Sequence, residues 1–174
     1  MEKVGRIIRE TVTTIALAFI LALVIRAYVV EARVIPSGSM LPTIHEGDRV
    51  LVNKIVYHMR KPQRGEIIVF EAPVNTGENQ DFIKRVVGLP GDTVQVKNAK
   101  VYVNGGALEE DYIAEAPDYE FGPIKVPDDA LFVMGDNRNA SYDSHLWNTW
   151  LKLEKVKGEA FARYWPPGRL GKVD

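Results

Sequence analysis

The sequence lacks cysteine entirely: none occurs among its 174 residues. This absence excludes disulfide bonds, thiolate metal sites and a cysteine nucleophile. The chain also lacks an excess of either charge, because 22 Lys and Arg residues are balanced by 23 Asp and Glu residues, for a formal net charge of -1. Without a basic surface, binding to DNA or RNA is not expected. Histidine, the usual general base, occurs only three times.

The N-terminal thirty residues predict a membrane anchor. Residues 1–10 carry three basic side chains, and residues 11–30, TVTTIALAFILALVIRAYVV, are apolar apart from Arg26 and a few threonines. A membrane-spanning helix needs about 20 predominantly apolar residues. Because basic residues favour the cytoplasmic side, we expect residues 1–10 in the cytoplasm and residues 31–174 on the extracytoplasmic side of the cell membrane.

Two alternatives to the anchor remain. A cleaved signal peptide also has a basic start and an apolar core, but its core is only about 7–15 residues long, and the longer run here favours an uncleaved anchor. A buried helix of a soluble domain is less favoured, because no polar stripe at helical spacing interrupts the residues from Leu17 to Ile25.

The rest of the chain predicts a mainly β domain of antiparallel sheet, with a barrel-like form. Its short β-branched and aromatic runs, bounded by turn residues, are typical of strands. These runs are residues 49–57, 65–73, 80–89, 92–98, 100–105, 130–137 and 159–167. The turn Leu89-Pro90-Gly91-Asp92 fits type II, in which Pro fixes φ and Gly accepts a positive φ. Residues 97–129 are expected to form a small irregular secondary lobe. With 46% hydrophobic residues, the chain can bury one principal core.

Ser39 lies in the stretch IPSGSMLPT, residues 35–43, shortly after the apolar segment. A serine in such a stretch is most often a turn residue, and it becomes a nucleophile only beside a base. His145, close to Asp143, could complete a Ser-His-Asp set. The alternative base is a lysine that burial among apolar side chains makes easier to deprotonate.

Lys84 is the candidate for such a lysine, because it lies in the apolar stretch QDFIKRVVGL. In a strand, Lys84 shares a face with Phe82 and Val86, whereas Arg85 lies on the opposite face. The alternation does not decide which of the two cations is buried. Only Lys84 could act as a base, since a guanidinium is effectively always protonated. An exposed lysine with its stem packed on the surface remains the common alternative.

Four segments in this order behind the N-terminal span, IPSGSMLPT, RVLVNKIVY, FIKRVVGLPGD and FVMGDNRNASYDSH, resemble those of bacterial type I signal peptidases. These membrane-anchored serine endopeptidases remove signal peptides from exported preproteins. The resemblance covers nearly the whole chain. It implies cleavage after small residues, at sites of the Ala-x-Ala type, through an acyl-enzyme. It also implies no metal and no other cofactor; the expected partners are signal-peptide-bearing preproteins and the lipid bilayer.

The same resemblance assigns roles to individual residues. Ser39 matches the nucleophile of the family and Lys84 its general base, a Ser/Lys dyad without histidine. The hydroxyl of Ser37 and the backbone N–H of Ser39 match the oxyanion hole. Ser141 matches the serine that orients the lysine amine, and Asp143 the aspartate that supports this loop.

Six residues match the segments that line the apolar substrate pockets of the family: Ile35, Pro36, Met40, Ile44, Phe82 and Ile83. One departure is His145, where many members have an arginine that pairs with the aspartate. Two other functions are compatible with a β domain of this kind. One is a self-cleaving Ser/Lys repressor, disfavoured because no DNA-binding helix pair precedes the domain; the other is a non-catalytic peptide-binding module.

Overall fold

The computed structural model describes residues 2–73 and 80–173, with the side chains of Glu2 and of residues 24–27 also outside the description. It begins with a long helix, α1, Glu2–Tyr28. Arg26 interrupts the apolar run in the sequence, and its side chain lies outside the described part of the structure. Within the described part of the chain, no helix combines the length and the apolar character that crossing a membrane requires.

Twelve strands and one further short helix follow within the described ranges. In chain order they are β1 Val30–Val34, β2 Arg49–Asn53, α2 Val56–Met59, β3 Ile67–Glu71, β4 Asp81–Gly88, β5 Thr93–Lys97, β6 Lys100–Val103, β7 Gly106–Ala107, β8 Phe121–Lys125, β9 Ala130–Met134, β10 Leu151–Lys152, β11 Val156–Trp165 and β12 Gly171–Lys172. The mainly β fold predicted from the sequence is confirmed.

The strands form two antiparallel sheets. The larger sheet has the order β1-β2-β11-β3-β4-β9-β10, with β12 beside β11. The smaller sheet has the order β7-β6-β5-β8. The chain passes from the first sheet to the second through the predicted Leu89–Asp92 turn, where Gly91 has φ +85° and the amide of Asp92 donates to the carbonyl of Leu89 at 3.0 Å.

All seven predicted strands are present, and the first differs most in extent. The predicted strand 49–57 stops at Asn53, whose side-chain oxygen accepts hydrogen bonds from the amides of Ile55 and Val56, at 3.2 and 3.3 Å. This Asx-type turn ends β2 and leads into α2. The lobe predicted to be irregular, residues 97–129, contains β7 and β8, which extend the smaller sheet.

Strand β4 positions the site, because it lies between two covered faces. Its residues from Ile83 to Gly88 are all buried. Ile83 packs into one apolar cluster with Ile35 and Met40, and Val86 packs into a second with Phe70 and Trp147. A strand that is covered on both sides buries every side chain it carries, whatever their chemistry.

Candidate active site

Ser39 lies in a single 3-10 turn, Gly38–Met40, in the loop between β1 and β2. The loop is pinned at both ends: the amide of Ile35 donates to the carbonyl of Asp48, and the amide of Ile44 donates to the carbonyl of Met40, each at 2.9 Å. The side chain of Ser39 is 8% exposed. The turn therefore presents a nearly buried hydroxyl from a fixed backbone.

Lys84 reaches this hydroxyl from β4. Its Nζ atom donates a hydrogen bond to Oγ of Ser39 at 2.7 Å and lies 5.4 Å from the centre of the Phe82 ring. Lys84 is 4% exposed and Arg85 is 3% exposed. The alternation in the sequence left open which cation is buried, and the structure buries both, on opposite faces of β4.

Burial lowers the pKa of the Lys84 amine from 10.5 to about 8, while the carboxylates of Asp143 and Asp136 oppose this shift. The cause is desolvation, which disfavours the charged ammonium. An amine with this pKa is neutral in a substantial fraction of molecules near neutral pH. It can then accept the proton of a hydroxyl 2.7 Å away.

The loop from Gly135 to Asp143, which follows β9, packs on the Ser39 turn. Asn137 donates its amide to the carbonyl of Ser39 and its side-chain nitrogen to the carbonyl of Gly38, both at 3.1 Å. A Cβ atom on Gly135 would lie 2.4 Å from the carbonyl oxygen of Ser39. Only glycine permits this approach, so the two loops are fitted to each other.

Asp143 contacts both the backbone of this loop and a histidine. One carboxylate oxygen accepts the amide of Gly135 at 2.9 Å, and the other contacts Nδ1 of His145 at 2.5 Å. His145 also stacks on Tyr119, with ring centres 4.2 Å apart. In the described ranges no histidine is hydrogen-bonded to Ser39. The competing Ser-His-Asp set is therefore not assembled here.

Ser141, predicted to orient the lysine amine, lies in the same loop. Its hydroxyl is buried, and among the described residues it has no hydrogen-bond partner. The amine of Lys84 donates to Ser39 instead. The hydroxyl of Ser141 lies against the backbone of Gly135, where a Cβ would approach it within 2.2 Å.

Ser37, predicted for the oxyanion hole, is exposed beside Ser39, with 3.5 Å between the two hydroxyl oxygens. An exposed hydroxyl at the mouth of the site can turn toward a substrate. Its position next to the backbone N–H of Ser39 is compatible with two donors that face the same substrate oxygen.

A cleft of about 440 Å³ opens over Ser39 and Lys84. Its other lining residues are Pro36, Ser37, Gly38, Gln80, Asp81, Phe82, Ile83, Asn137, Ala140 and Tyr142. An adjoining pocket of about 180 Å³ extends along Ile35 toward Arg33. Of the six predicted pocket residues, Ile35, Pro36, Phe82 and Ile83 line one or both cavities. Met40 and Ile44 do not line them, because both side chains are fully buried in an apolar core cluster.

Sequence reasoning missed two contributors to the site. Tyr142 lines the cleft, 44% exposed, with its ring packed edge-on against Trp147. Asp136, in the segment FVMGDNRNASYDSH, is fully buried and forms a two-point ion pair with Arg85, at 2.8 and 2.7 Å. A buried Arg85 requires a carboxylate partner, but the sequence alone does not show that Arg85 is buried.

Two strand edges face the cleft. The pairing of β4 with β9 begins at Arg85, so residues 81–84 have no strand partner on that side within the described chain. β1 forms the outer edge of the larger sheet, where it pairs with β2 alone in the described ranges. An extended peptide can add to such edges through backbone hydrogen bonds. No cluster of three or more His, Asp or Glu side chains suitable for a metal ion occurs among the described residues.

A serine hydroxyl paired with a buried amine, in an antiparallel β domain, is typical of serine hydrolases that use lysine in place of histidine as the general base. Comparison with known proteins agrees with this class. The sequence model of the family "Signal peptidase, peptidase S26" matches residues 8–165. The chain belongs to this signal peptidase family.

Individual relatives are similar over most of their length. The signal peptidase I of Leptolyngbya laminosa is 52% identical over 94% of this chain and 83% of its own. The probable signal peptidase I-2 of a Synechocystis strain is 53% identical, over 91% of this chain and 73% of its own. The crystal structure of a signal peptidase I from Enterococcus faecalis is 34% identical, with a TM-score of 0.50, and covers 57% of this chain and 97% of that one.

Proposed function

We propose that Ser39 and Lys84 carry out the peptide-bond hydrolysis by which this chain, a serine endopeptidase of the signal peptidase I type, removes signal peptides from preproteins. The observation that carries this proposal is the 2.7 Å hydrogen bond between the buried amine of Lys84 and the hydroxyl of Ser39. Such a pair supplies a nucleophile and its base without a histidine, a metal or a cofactor.

In the proposed reaction, neutral Lys84 accepts the proton of Ser39, and the resulting alkoxide attacks the carbonyl carbon of the scissile bond. The oxyanion is stabilised by the backbone N–H of Ser39 and the hydroxyl of Ser37; one positioned donor is worth about 2.7–4 kcal/mol in the transition state. Protonated Lys84 then gives its proton to the leaving amine. The products of this half-reaction are the free mature protein and an ester of the signal peptide with Ser39.

Lys84 takes part in the second half-reaction as well. Neutral again, it removes a proton from a water molecule that attacks the ester, and Ser39 leaves with that proton returned by the amine. Ser141 is retained as the lysine-orienting residue, because its buried hydroxyl has no other partner among the described residues. It can receive the amine when Ser39 is acylated and no longer accepts a hydrogen bond in the same geometry.

The substrate is proposed to bind as an extended segment along the edges of β1 and β4, with small side chains before the cut, in the Ala-x-Ala pattern. Ile35, Pro36, Phe82 and Ile83 provide apolar walls near Ser39. Large side chains would overpack such walls, which suffices to exclude them without polar recognition.

Helix α1 is proposed to anchor the chain in the cytoplasmic membrane, with its N-terminus in the cytoplasm. Its described apolar side chains are exposed on all sides, for example Phe19 at 65% and Leu21 at 60%. Exposed apolar surface of this extent is stabilised by a lipid environment. The absence of cysteine offers a clean test: Met59→Cys, at an 83% exposed position, should react with an impermeant maleimide from the extracytoplasmic side only. Labelling from the cytoplasmic side alone would contradict this topology.

The decisive experiment compares cleavage of a preprotein with an Ala-x-Ala site by the wild type, Ser39→Ala, Lys84→Ala and His145→Ala, all in detergent. We expect the wild type to cut after the second alanine, both dyad variants to be inactive, and His145→Ala to retain most activity. Lys97→Ala, at the half-buried end of β5 in the smaller sheet, is the matched lysine control and should cut normally. An active Lys84→Ala enzyme together with an inactive His145→Ala enzyme would identify histidine as the base and refute the proposal.

A further inference from the structure

The excursion between β7 and β8 contacts the catalytic domain through a tyrosine that lies outside the cleft. The ring of Tyr112 lies against the guanidinium of Arg85, with 4.0 Å from its carbon to the ring centre. The guanidinium of Arg138 approaches the same ring at 5.7 Å. The hydroxyl of Tyr112 donates to Glu110 at 2.8 Å, which fixes the plane of the ring.

Arg138 joins this excursion to the loop that packs on Ser39. Arg138 is 1% exposed and forms a two-point ion pair with Glu110, at 2.8 and 2.7 Å. Its Nε donates to the carbonyl of Gly135 at 3.1 Å. Bidentate pairs of this kind fix orientation as well as distance. The excursion is therefore held at a defined position relative to the Gly135–Asp143 loop.

Arg85 transmits the contact toward the dyad. Beyond the Tyr112 ring, it forms the two-point ion pair with Asp136 and donates to the carbonyl of Gly65 at 2.7 Å. Asp136 in turn accepts a hydrogen bond at 2.5 Å from the hydroxyl of Thr43, in the loop that carries the nucleophile. One buried carboxylate thus connects β4, next to Lys84, with the loop of Ser39.

From this arrangement we propose that Tyr112 is a positioning residue for the reaction: its ring holds the Arg85–Asp136 ion pair in place and thereby keeps Ser39 within reach of Lys84. The inference rests on the proposed roles of Ser39 and Lys84. Ordinary packing is the competing explanation for the tyrosine. Two features favour positioning. The ring lies against the guanidinium groups of Arg85 and Arg138, and a cation over an aromatic face is attracted more strongly in a desolvated site.

The charges around Lys84 give the proposal a signature that packing alone would not produce. The groups that act on the amine are the Asp136 carboxylate, the Asp143 carboxylate and the hydroxyl of Ser39. If Arg85 shifts away from Asp136, this carboxylate is less neutralised and favours the protonated amine more strongly. Loosening the ion pair must therefore move the onset of activity to higher pH.

The test measures kcat, KM and the pH dependence of kcat/KM on a preprotein for full-length Tyr112→Leu, Tyr112→Phe and Tyr112→Met. Leu and Met fill much of the space of the ring but lack its face, whereas Phe keeps it. We expect Tyr112→Leu and Tyr112→Met to lower kcat about tenfold with KM nearly unchanged. In both variants the acidic limb of kcat/KM should move to higher pH. Tyr112→Phe should retain most of the wild-type kcat. Tyr102→Leu is the matched control, because the amine of Lys97 lies 4.8 Å from the centre of the Tyr102 ring in the smaller sheet.

Competitive acetylation, followed by mass spectrometry at a series of pH values, measures the pH at which the Lys84 amine loses its proton. This measurement does not depend on turnover. The midpoint of labelling should rise in the Leu and Met variants and stay at the wild-type value in Tyr102→Leu. The proposal would be overturned if a folded Tyr112→Leu or Tyr112→Met variant kept the wild-type midpoint of acetylation and the wild-type acidic limb of kcat/KM. It would also be overturned if Tyr112→Phe lost as much kcat as Tyr112→Leu. A failure of the dyad itself would show differently, as cleavage by Lys84→Ala.

Discussion

The pKa of Lys84 leads to a quantitative prediction for the pH dependence of cleavage. Burial lowers it from 10.5 to about 8, which corresponds to about 3 kcal/mol at about 1.4 kcal/mol per unit. At pH 7, an amine with a pKa of about 8 is neutral in roughly 9% of molecules, against about 0.03% for an unperturbed lysine. The net shift, in which desolvation outweighs the two carboxylates, therefore raises the fraction of neutral amine about 300-fold.

The direction of this pH dependence follows from the protonation state in which Lys84 reacts. The deprotonated amine is the base, so kcat/KM should be low in acid and rise with pH, with its half-maximal value near pH 8. Removing a carboxylate that favours the ammonium should move this limb to lower pH. Asp143→Asn does so and keeps an oxygen that can accept the amide of Gly135.

Initial rates of preprotein cleavage, measured in detergent across the pH range on both sides of this midpoint, test the reasoning. A limb near pH 6.5, the ordinary value for an imidazole, would indicate a histidine base. A limb near the ordinary value of lysine would show that the amine is not desolvated in solution. A shift of Asp143→Asn toward higher pH would contradict the electrostatic argument.

Three further predictions follow from single residues. Lys84→Met should abolish cleavage yet raise the free energy of unfolding at pH 7 by up to about 3 kcal/mol. This gain in stability should shrink as pH rises from about 8 to 10.5, because the amine of the folded wild type is already neutral there. A urea unfolding experiment at pH 7 that shows no gain would contradict this. Gly135→Ala should lose activity and about 1–3 kcal/mol of stability through the clash with the Ser39 carbonyl; a wild-type melting temperature and rate would refute it. His145→Ala should keep most activity with a lower thermal midpoint, because its contacts are with Asp143 and Tyr119; loss of cleavage without loss of stability would count against this.

The sequence predicts β4 well because its signal is local. Phe82, Ile83, Val86 and Val87 supply aromatic and β-branched character within eight residues bounded by turns, which indicates a strand. What local pattern could not decide was the burial of Lys84 and Arg85. That depends on which elements cover each face of the strand, and these come from distant parts of the chain.

The missed strands are short or lack strand residues. β8 contains Gly122 and Pro123, which argue against a strand, but β5 supplies its pairing. β1 follows the apolar segment directly, and no turn residue separates it from that segment in the sequence. Pairing with β2 over five residues makes it a strand. In both cases the partner decides the structure.

The site was predicted unevenly for a related reason. The resemblance names Ser39 and Lys84, and the structure brings the two side chains together. It also names Met40 and Ile44 by their place in the motif, but motif position does not state which way a side chain points. Both point into the core. The roles of Asp136 and Tyr112 depend on contacts between segments far apart in sequence, which no single motif contains.

Lys84 and Arg85 show why partners, and not residue type alone, decide what a buried cation does. Both are almost wholly removed from water on adjacent positions of one strand. Arg85 receives a two-point ion pair with a buried carboxylate, which compensates its desolvation, and a guanidinium stays charged in any case. Lys84 receives a neutral hydroxyl, with its carboxylates acting only through space, so desolvation dominates and its pKa falls. The strand thus holds one fixed charge, which orders two loops, beside one amine that is free to exchange its proton.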